Sequence, residues 1–132
     1  MAQGISVALP LRIDPVDGAY GLNKEIESFA NQNIKTVVLT SPGERVMEPE
    51  FGVGLRRLLF EQNTSGLVDA IRGRIEAQVK RYVPYVTLKE VKVESPSYPT
   101  GELDSRAITV SIRYFIPAIS RTDLFLTIPL SV

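Results

Sequence analysis

The sequence predicts an α+β fold: two main helices plus a short helix packed on one face of a three-stranded antiparallel sheet. Three observations carry this reading. Apolar residues recur at helical spacing over residues 24–39 and 65–82. Pro84 then ends the second stretch, and the pattern changes from helical to alternating. Three alternating segments follow, separated by turn-forming residues, which suits a meander.

Residues 5–13 are extended in character, with Pro10 preventing a helix interior, and Asp14 to Gly18 is a turn cluster. Residues 1–20 read as an extended N-terminal arm, and residues 21–132 as one α+β domain. Asn23 is a candidate N-cap for a helix over Lys24 to Leu39. Its apolar stripe is Ile26, Phe29, Ala30, Ile34, Val37 and Val38. Ser41-Pro42-Gly43 must stop that helix, since proline fixes φ near the turn value and glycine accepts positive φ.

A charged stretch follows, with Glu44, Arg45, Glu48 and Glu50 around Pro49. Phe51-Gly52-Val53-Gly54 then places an aromatic anchor beside glycines that permit close backbone approach. Leu55, Leu58, Leu59 and Phe60 give a short helix over Val53 to Phe60, with Arg56 and Arg57 opposite. The stretch reads either as a docking corner or as a plain helix–loop–helix connection with Phe51 in the core.

Asn63 or Thr64 caps the next helix, Ser65 to Tyr82, whose stripe is Val68, Ile71, Ile75, Val79 and Tyr82. In the strand from Tyr85 to Glu94, Val86 and Leu88 share one parity, and Val91 and Val93 the other. A β-bulge near Lys89-Glu90 reconciles them. Residues 95–105 form a polar turn, Arg106 to Ile116 a second strand, and Leu124 to Leu130 a third. Pro129 has no N–H, so the third strand should lie at an edge or have an unpaired side at that point. An apolar edge strand with one open side either invites pairing with another chain or is an ordinary edge blunted by Pro129.

Composition removes most chemistry. Lys+Arg and Asp+Glu are both 15, so the formal charge is zero, which argues against a general nucleic-acid binder. There is no Cys and no His, which removes thiol chemistry, the usual general base and the commonest zinc ligand. Glu44, Glu48 and Glu50 could supply a glycosidase carboxylate pair, but no Trp is present to stack a sugar. Their spacing is not that of a calcium loop, and Pro42 to Arg45 is not a phosphate loop. No cofactor or metal is expected. Arg56, Arg57, Arg72, Arg74, Lys80 and Arg81 could be read as a phosphate patch, though the interleaved acids favour a solvated face. No signal-like or membrane-spanning run is seen, so a soluble, cytoplasmically made protein is expected.

The run from Ile34 to Glu61 resembles the baseplate wedge and sheath-initiator family of contractile tails. That family includes lysozyme-like phage wedge subunits and equivalents in type VI secretion, tailocins and extracellular injection systems. The signature is Gly43-Glu44-Arg45, Met47, Pro49, Phe51-Gly52 and the Leu-Leu-Phe helix. It continues through Arg81-Tyr82, Val86 and Val91-Lys92-Val93, so the resemblance covers about Lys24 to Val132. Many members carry Glu-Pro-Arg where this chain has Val83-Pro84-Tyr85, so any ion pair made by that tripeptide is not carried over.

The resemblance implies a non-enzymatic structural subunit that joins wedge to sheath and templates sheath assembly by β-strand augmentation. Gly43, Glu44, Arg45, Glu48, Pro49, Phe51 and Gly52 would meet wedge partners. Leu124, Phe125, Leu126, Thr127, Ile128 and Leu130 would form the sheath-facing edge. Implied partners are the sheath subunit and other wedge proteins, with tube or hub proteins as further candidates, and neither nucleic acid nor membrane. The subunit would be made in the bacterial cytoplasm and sit in multiple copies in a virion tail baseplate or injection particle. The alternatives are a peptidoglycan-cleaving glycosidase using Glu44 and Glu48, or a free-standing adaptor binding peptides at its sheet edge.

Overall fold

The computed structural model describes residues 4–58, 60, 65–94, 107–118 and 123–131. Its elements are β1 (Ser6–Val7), β2 (Leu22–Asn23), α1 (Ile26–Leu39), α2 (Leu55–Leu58), α3 (Ser65–Tyr82), β3 (Thr87–Glu94), β4 (Ala107–Phe115) and β5 (Leu124–Ser131). The α+β class is observed, with a two-stranded ribbon added that the sequence did not suggest. The chain forms two compact units, residues 1–35 and 36–132, with the boundary inside α1.

In the first unit the arm doubles back. β1 and β2 pair antiparallel, Ser6 opposite Asn23 and Val7 opposite Leu22. Gln32 on α1 holds this ribbon. Its Oε1 accepts from Leu9 N–H at 3.0 Å and from Asn23 Nδ2 at 2.9 Å, and its Nε2 donates to the Val7 carbonyl at 3.1 Å. Asn23 is therefore not the N-cap. It belongs to β2, and the first helical hydrogen bond closes on the Glu25 carbonyl, from Phe29 N–H at 3.1 Å. Pairing with β1 moved the helix start two residues along. The arm leaves large apolar residues in solvent, Ile13 at 85% and Val16 at 81% exposure among them.

Asp17 fixes the return of the arm. Its carboxylate sits 2.7 Å from Lys24 Nζ and accepts from Leu22 N–H at 3.3 Å. The hydrogen bond with Lys24 holds the Asp17 carboxyl below its ordinary value of 3.8. A depressed carboxylate stabilises the fold above that ordinary value, and the contribution disappears as pH falls through the depressed one. Acidification below 3.8 should therefore weaken this tie of the arm, while the β1–β2 pairing and Gln32 still hold it. Lys24→Gln should raise the Asp17 pKa toward 3.8, read from its carboxyl carbon shift by NMR. An unmoved titration would show that the pair carries nothing.

The second unit is built on the sheet β3-β4-β5, antiparallel throughout. The expected bulge is present: Leu88 pairs with Tyr114 and Glu90 with Arg113, leaving Lys89 as the extra residue. The bulge lets Val86 and Val91 both be buried despite their opposite parity. On β4, Ile108, Val110, Ile112 and Tyr114 are buried, and the intervening residues are not. α3 packs on β3 and buries Ile71, Ile75 and Val79 completely or nearly so. Val68, expected in that stripe, is only half-buried, and Leu67 takes the inward place.

The outer face of the sheet carries a charge network, with Lys89 2.6 Å from Asp123 and Arg113 3.5 Å from Glu90. Such exposed pairs orient side chains more than they stabilise the fold. The short helix is observed over Leu55–Leu58. The expected cap at Asn63 or Thr64, the turn over 95–105 and Leu59 lie outside the described residues.

Candidate functional site

α1 stops at Leu39, and Thr40 closes its last turn. Both its N–H, at 3.0 Å, and its Oγ1, at 2.6 Å, donate to the Thr36 carbonyl. The loop beyond is tied at its neck, where Gly43 N–H donates to the Pro49 carbonyl at 2.8 Å. Glu44 folds onto the turn, its Oε2 accepting from Ser41 N–H at 3.1 Å. The returning chain lies against α1: Val53 N–H donates to the Val37 carbonyl at 3.0 Å and Gly54 N–H to the Thr40 carbonyl at 2.9 Å.

α3 clamps the loop with three residues on one helical face. Gln78 reads the backbone twice: its Oε1 accepts from Gly52 N–H at 3.0 Å and its Nε2 donates to the Glu50 carbonyl at 3.1 Å. Arg81 donates to Glu50 Oε2 at 2.7 Å, with its other terminal nitrogen 3.9 Å from Glu48. Tyr82 OH donates to Glu48 Oε1 at 3.0 Å, and its ring meets buried Phe51 edge-on at 4.7 Å. Loss of hydration, then the Glu48 hydrogen bond, pushes the Tyr82 phenol above its ordinary value. The Arg45 guanidinium also lies 3.8 Å from the Phe51 ring centroid, a cation–π contact.

Gly43, Glu44, Arg45, Glu48, Pro49, Phe51 and Gly52 thus fall in one loop, with distinct jobs. Glu48, Phe51 and Gly52 face α3, Glu44 serves the loop's own turn, and Arg45 covers Phe51. The residues left at the tip are Val46 and Met47, each 92% exposed. Sequence reading missed Val46, Gln78 and the clamping role of Arg81 and Tyr82, although Met47, Arg81 and Tyr82 all stand in the family signature. The clamp had a faint signal, since positions 78, 81 and 82 lie at i, i+3 and i+4.

Gln78→Ala should cost about 1–3 kcal/mol, because it leaves the buried Gly52 N–H without its acceptor. Urea unfolding measures the loss, and Gly52 amide exchange should accelerate by more than global unfolding explains. Unchanged Gly52 protection would mean another acceptor takes over.

The second expected surface is β5. It pairs with β4 from Leu124 opposite Tyr114 to Ser131 opposite Ala107, and its other side is open among the described residues. Ile128 is buried, and Leu124, Leu126 and Leu130 are half-buried. Thr127, Pro129 and Phe125, the last 70% exposed, face outward.

The profile of the family described as baseplate wedge protein gp25 matches residues 25–120. The chain belongs to the gp25 baseplate wedge family. It is 31% identical over 99 residues to the baseplate wedge protein gp25 of Enterobacteria phage T4, covering 71% of this chain and 70% of that protein. It is also similar to a chain of the anti-feeding prophage baseplate, with a TM-score of 0.67 and 27% identity over 87% of this chain and 86% of that one.

Two further structures share the fold alone. A protein described as a "putative tail lysozyme" from Geobacter sulfurreducens gives a TM-score of 0.68 at 20% identity, covering 85% of this chain and 96% of that chain. A chain of the postcontracted pyocin R2 baseplate gives 0.54 at 20% identity, covering 80% and 97%. The gp25 family match takes in the loop and its whole α3 clamp, while β5 lies beyond it.

Proposed function

We propose that this gp25-family chain is a structural, non-catalytic baseplate subunit of a contractile tail or injection machine. It joins the wedge to the sheath and templates sheath assembly by accepting a sheath strand on the open edge of β5. The observation that carries this reading is that edge: an eight-residue strand that pairs on one side only among the described residues, where Pro129 takes away one of the donors an incoming strand could use. Strand addition draws affinity from backbone hydrogen bonds and register from alternate side chains. Here Phe125 and Thr127 stand beside the open edge to set that register.

The clamped loop is the second docking surface. Val46 and Met47 project from it with Glu44 and Arg45 alongside, a rigid apolar tip with a charged base that suits a neighbouring wedge protein. The arm, residues 1–20, is a tether to a further wedge protein, consistent with its exposed apolar residues. The anti-feeding prophage baseplate was solved with six-fold symmetry, which supports multiple copies here too. The two carboxylates that a glycosidase would need are engaged within the fold, Glu44 with the Ser41 N–H and Glu48 with Tyr82.

Co-assembly with the cognate sheath subunit tests the reading. The wild-type chain should nucleate ordered sheath, and a folded variant whose β5 edge is blocked should not. Equal nucleation by both would move the docking surface to the loop or the arm.

A further inference from the structure

Six basic residues that look alike in the sequence separate in the structure. Arg72 donates to the Val91 carbonyl at 3.2 Å and lies 3.6 Å from Asp69, so it is used within the fold. Arg81 is held by Glu50 and Glu48. Arg57, on α2, and Arg74, on α3, both line one open cavity of about 480 Å³ beside residues 52–54 of the clamped loop. Neither guanidinium makes a hydrogen bond or ion pair with a described residue.

The cavity has the makings of an anion pocket with an apolar wall. Glu50 is the acid lining it, and that carboxylate is committed to Arg81 at 2.7 Å. The Gly52, Val53 and Gly54 amides already donate to Gln78, Val37 and Thr40. Anion recognition therefore falls to the two guanidiniums, whose planar forks match a carboxylate. Pro42 and Ala77 border the same cavity and offer contact to an aliphatic stem. The volume lies in the range of roughly 300–1,000 Å³ that suits a drug-sized ligand, room for one or two side chains of a docked segment.

We propose that this cavity docks an acidic segment of a neighbouring protein, with one of its carboxylates held between Arg57 and Arg74. The inference takes from the baseplate reading only the source of that segment. A nucleic-acid backbone fits less well, because it calls for a basic stripe and the formal charge here is zero.

NMR on the full chain tests it, following the arginine Nε–Hε signals during titration with acetyl-Glu-Leu-Glu-amide and, separately, with inorganic phosphate. The peptide should shift Arg57 and Arg74 saturably. Arg57→Gln/Arg74→Gln should weaken the apparent affinity at least about tenfold, as expected when charge-assisted hydrogen bonds are lost. Arg57→Lys/Arg74→Lys should weaken it less, and Arg56→Gln should leave it unchanged. Absence of saturation, an unaffected double glutamine variant, or binding of phosphate without the peptide would each overturn the proposal. The assay contains no sheath protein, so its failure leaves the β5 reading standing, and loss of sheath nucleation leaves this one standing.

Discussion

Gly52→Ala should remove about 2–4 kcal/mol of unfolding free energy, although it adds a single methyl group. Gly52 has φ +106°, where an L side chain is strained wherever it points. An added Cβ would also run into the Thr40 carbonyl oxygen and sit 2.7 Å from its carbon. That obstacle is backbone, so it cannot turn aside as a flexible side chain would. Thr40 is held as well, because its carbonyl accepts from Gly54 N–H at 2.9 Å. Relief would break that bond or pull Gly52 away from Gln78, and either change loosens the loop from α1 or α3.

Gly73→Ala is the control. Gly73 lies within α3 and an added Cβ there would meet nothing within 4 Å. Alanine should stabilise by up to about 1 kcal/mol through helix propensity. Urea unfolding of the two variants should therefore move the midpoint in opposite directions at unchanged slope. If Gly52→Ala matches wild type, the tight apposition of the loop to Thr40 is wrong.

β3 shows what the sequence could say and why. Its bulge was legible because Val86 and Val91 cannot both face inward across a regular strand, and burial is a local, periodic demand. The edge position of β5 was legible for a similar reason, since a missing N–H at Pro129 is a local fact that limits the strand to an edge or an unpaired point. Partners far along the chain were not. Asn23 has the composition of a cap, yet Ser6 and Gln32 claimed its side chain, and nothing near Asn23 announces them. Glu48 and Phe51 read as docking groups in the sequence, and nothing near them announces that α3, about thirty residues on, supplies Tyr82 to both. Val46 and Met47 carry no periodic pattern that says where they point, and the loop closed at its neck leaves both outward. The site's composition was therefore readable, but its orientation depended on contacts that sequence spacing does not encode.

Thr127→Pro should leave the fold nearly intact and abolish sheath nucleation, whereas Leu126→Pro should unfold the strand. The difference follows from the ladder. Pro129 pairs in register with Thr109. A proline keeps its place there only if its nitrogen faces away from β4, since it has no hydrogen to donate. Backbone groups alternate sides along a strand, so Phe125 and Thr127 also turn their N–H groups to the open edge, and Leu126 turns its own toward β4. Proline at 127 deletes an outward donor and places a ring across the edge, at a cost to the domain of about 1 kcal/mol or less on an exposed edge. An incoming strand then meets two prolines in alternate positions and loses consecutive hydrogen bonds. Proline at 126 instead removes a bond to β4 at a half-buried position and should cost about 3 kcal/mol. Circular dichroism and urea unfolding establish which variant is folded, and sedimentation with electron microscopy of the sheath mixture reads nucleation. A folded Thr127→Pro chain that still nucleates sheath would exclude strand addition at β5, because no other change leaves the domain intact while closing that edge alone.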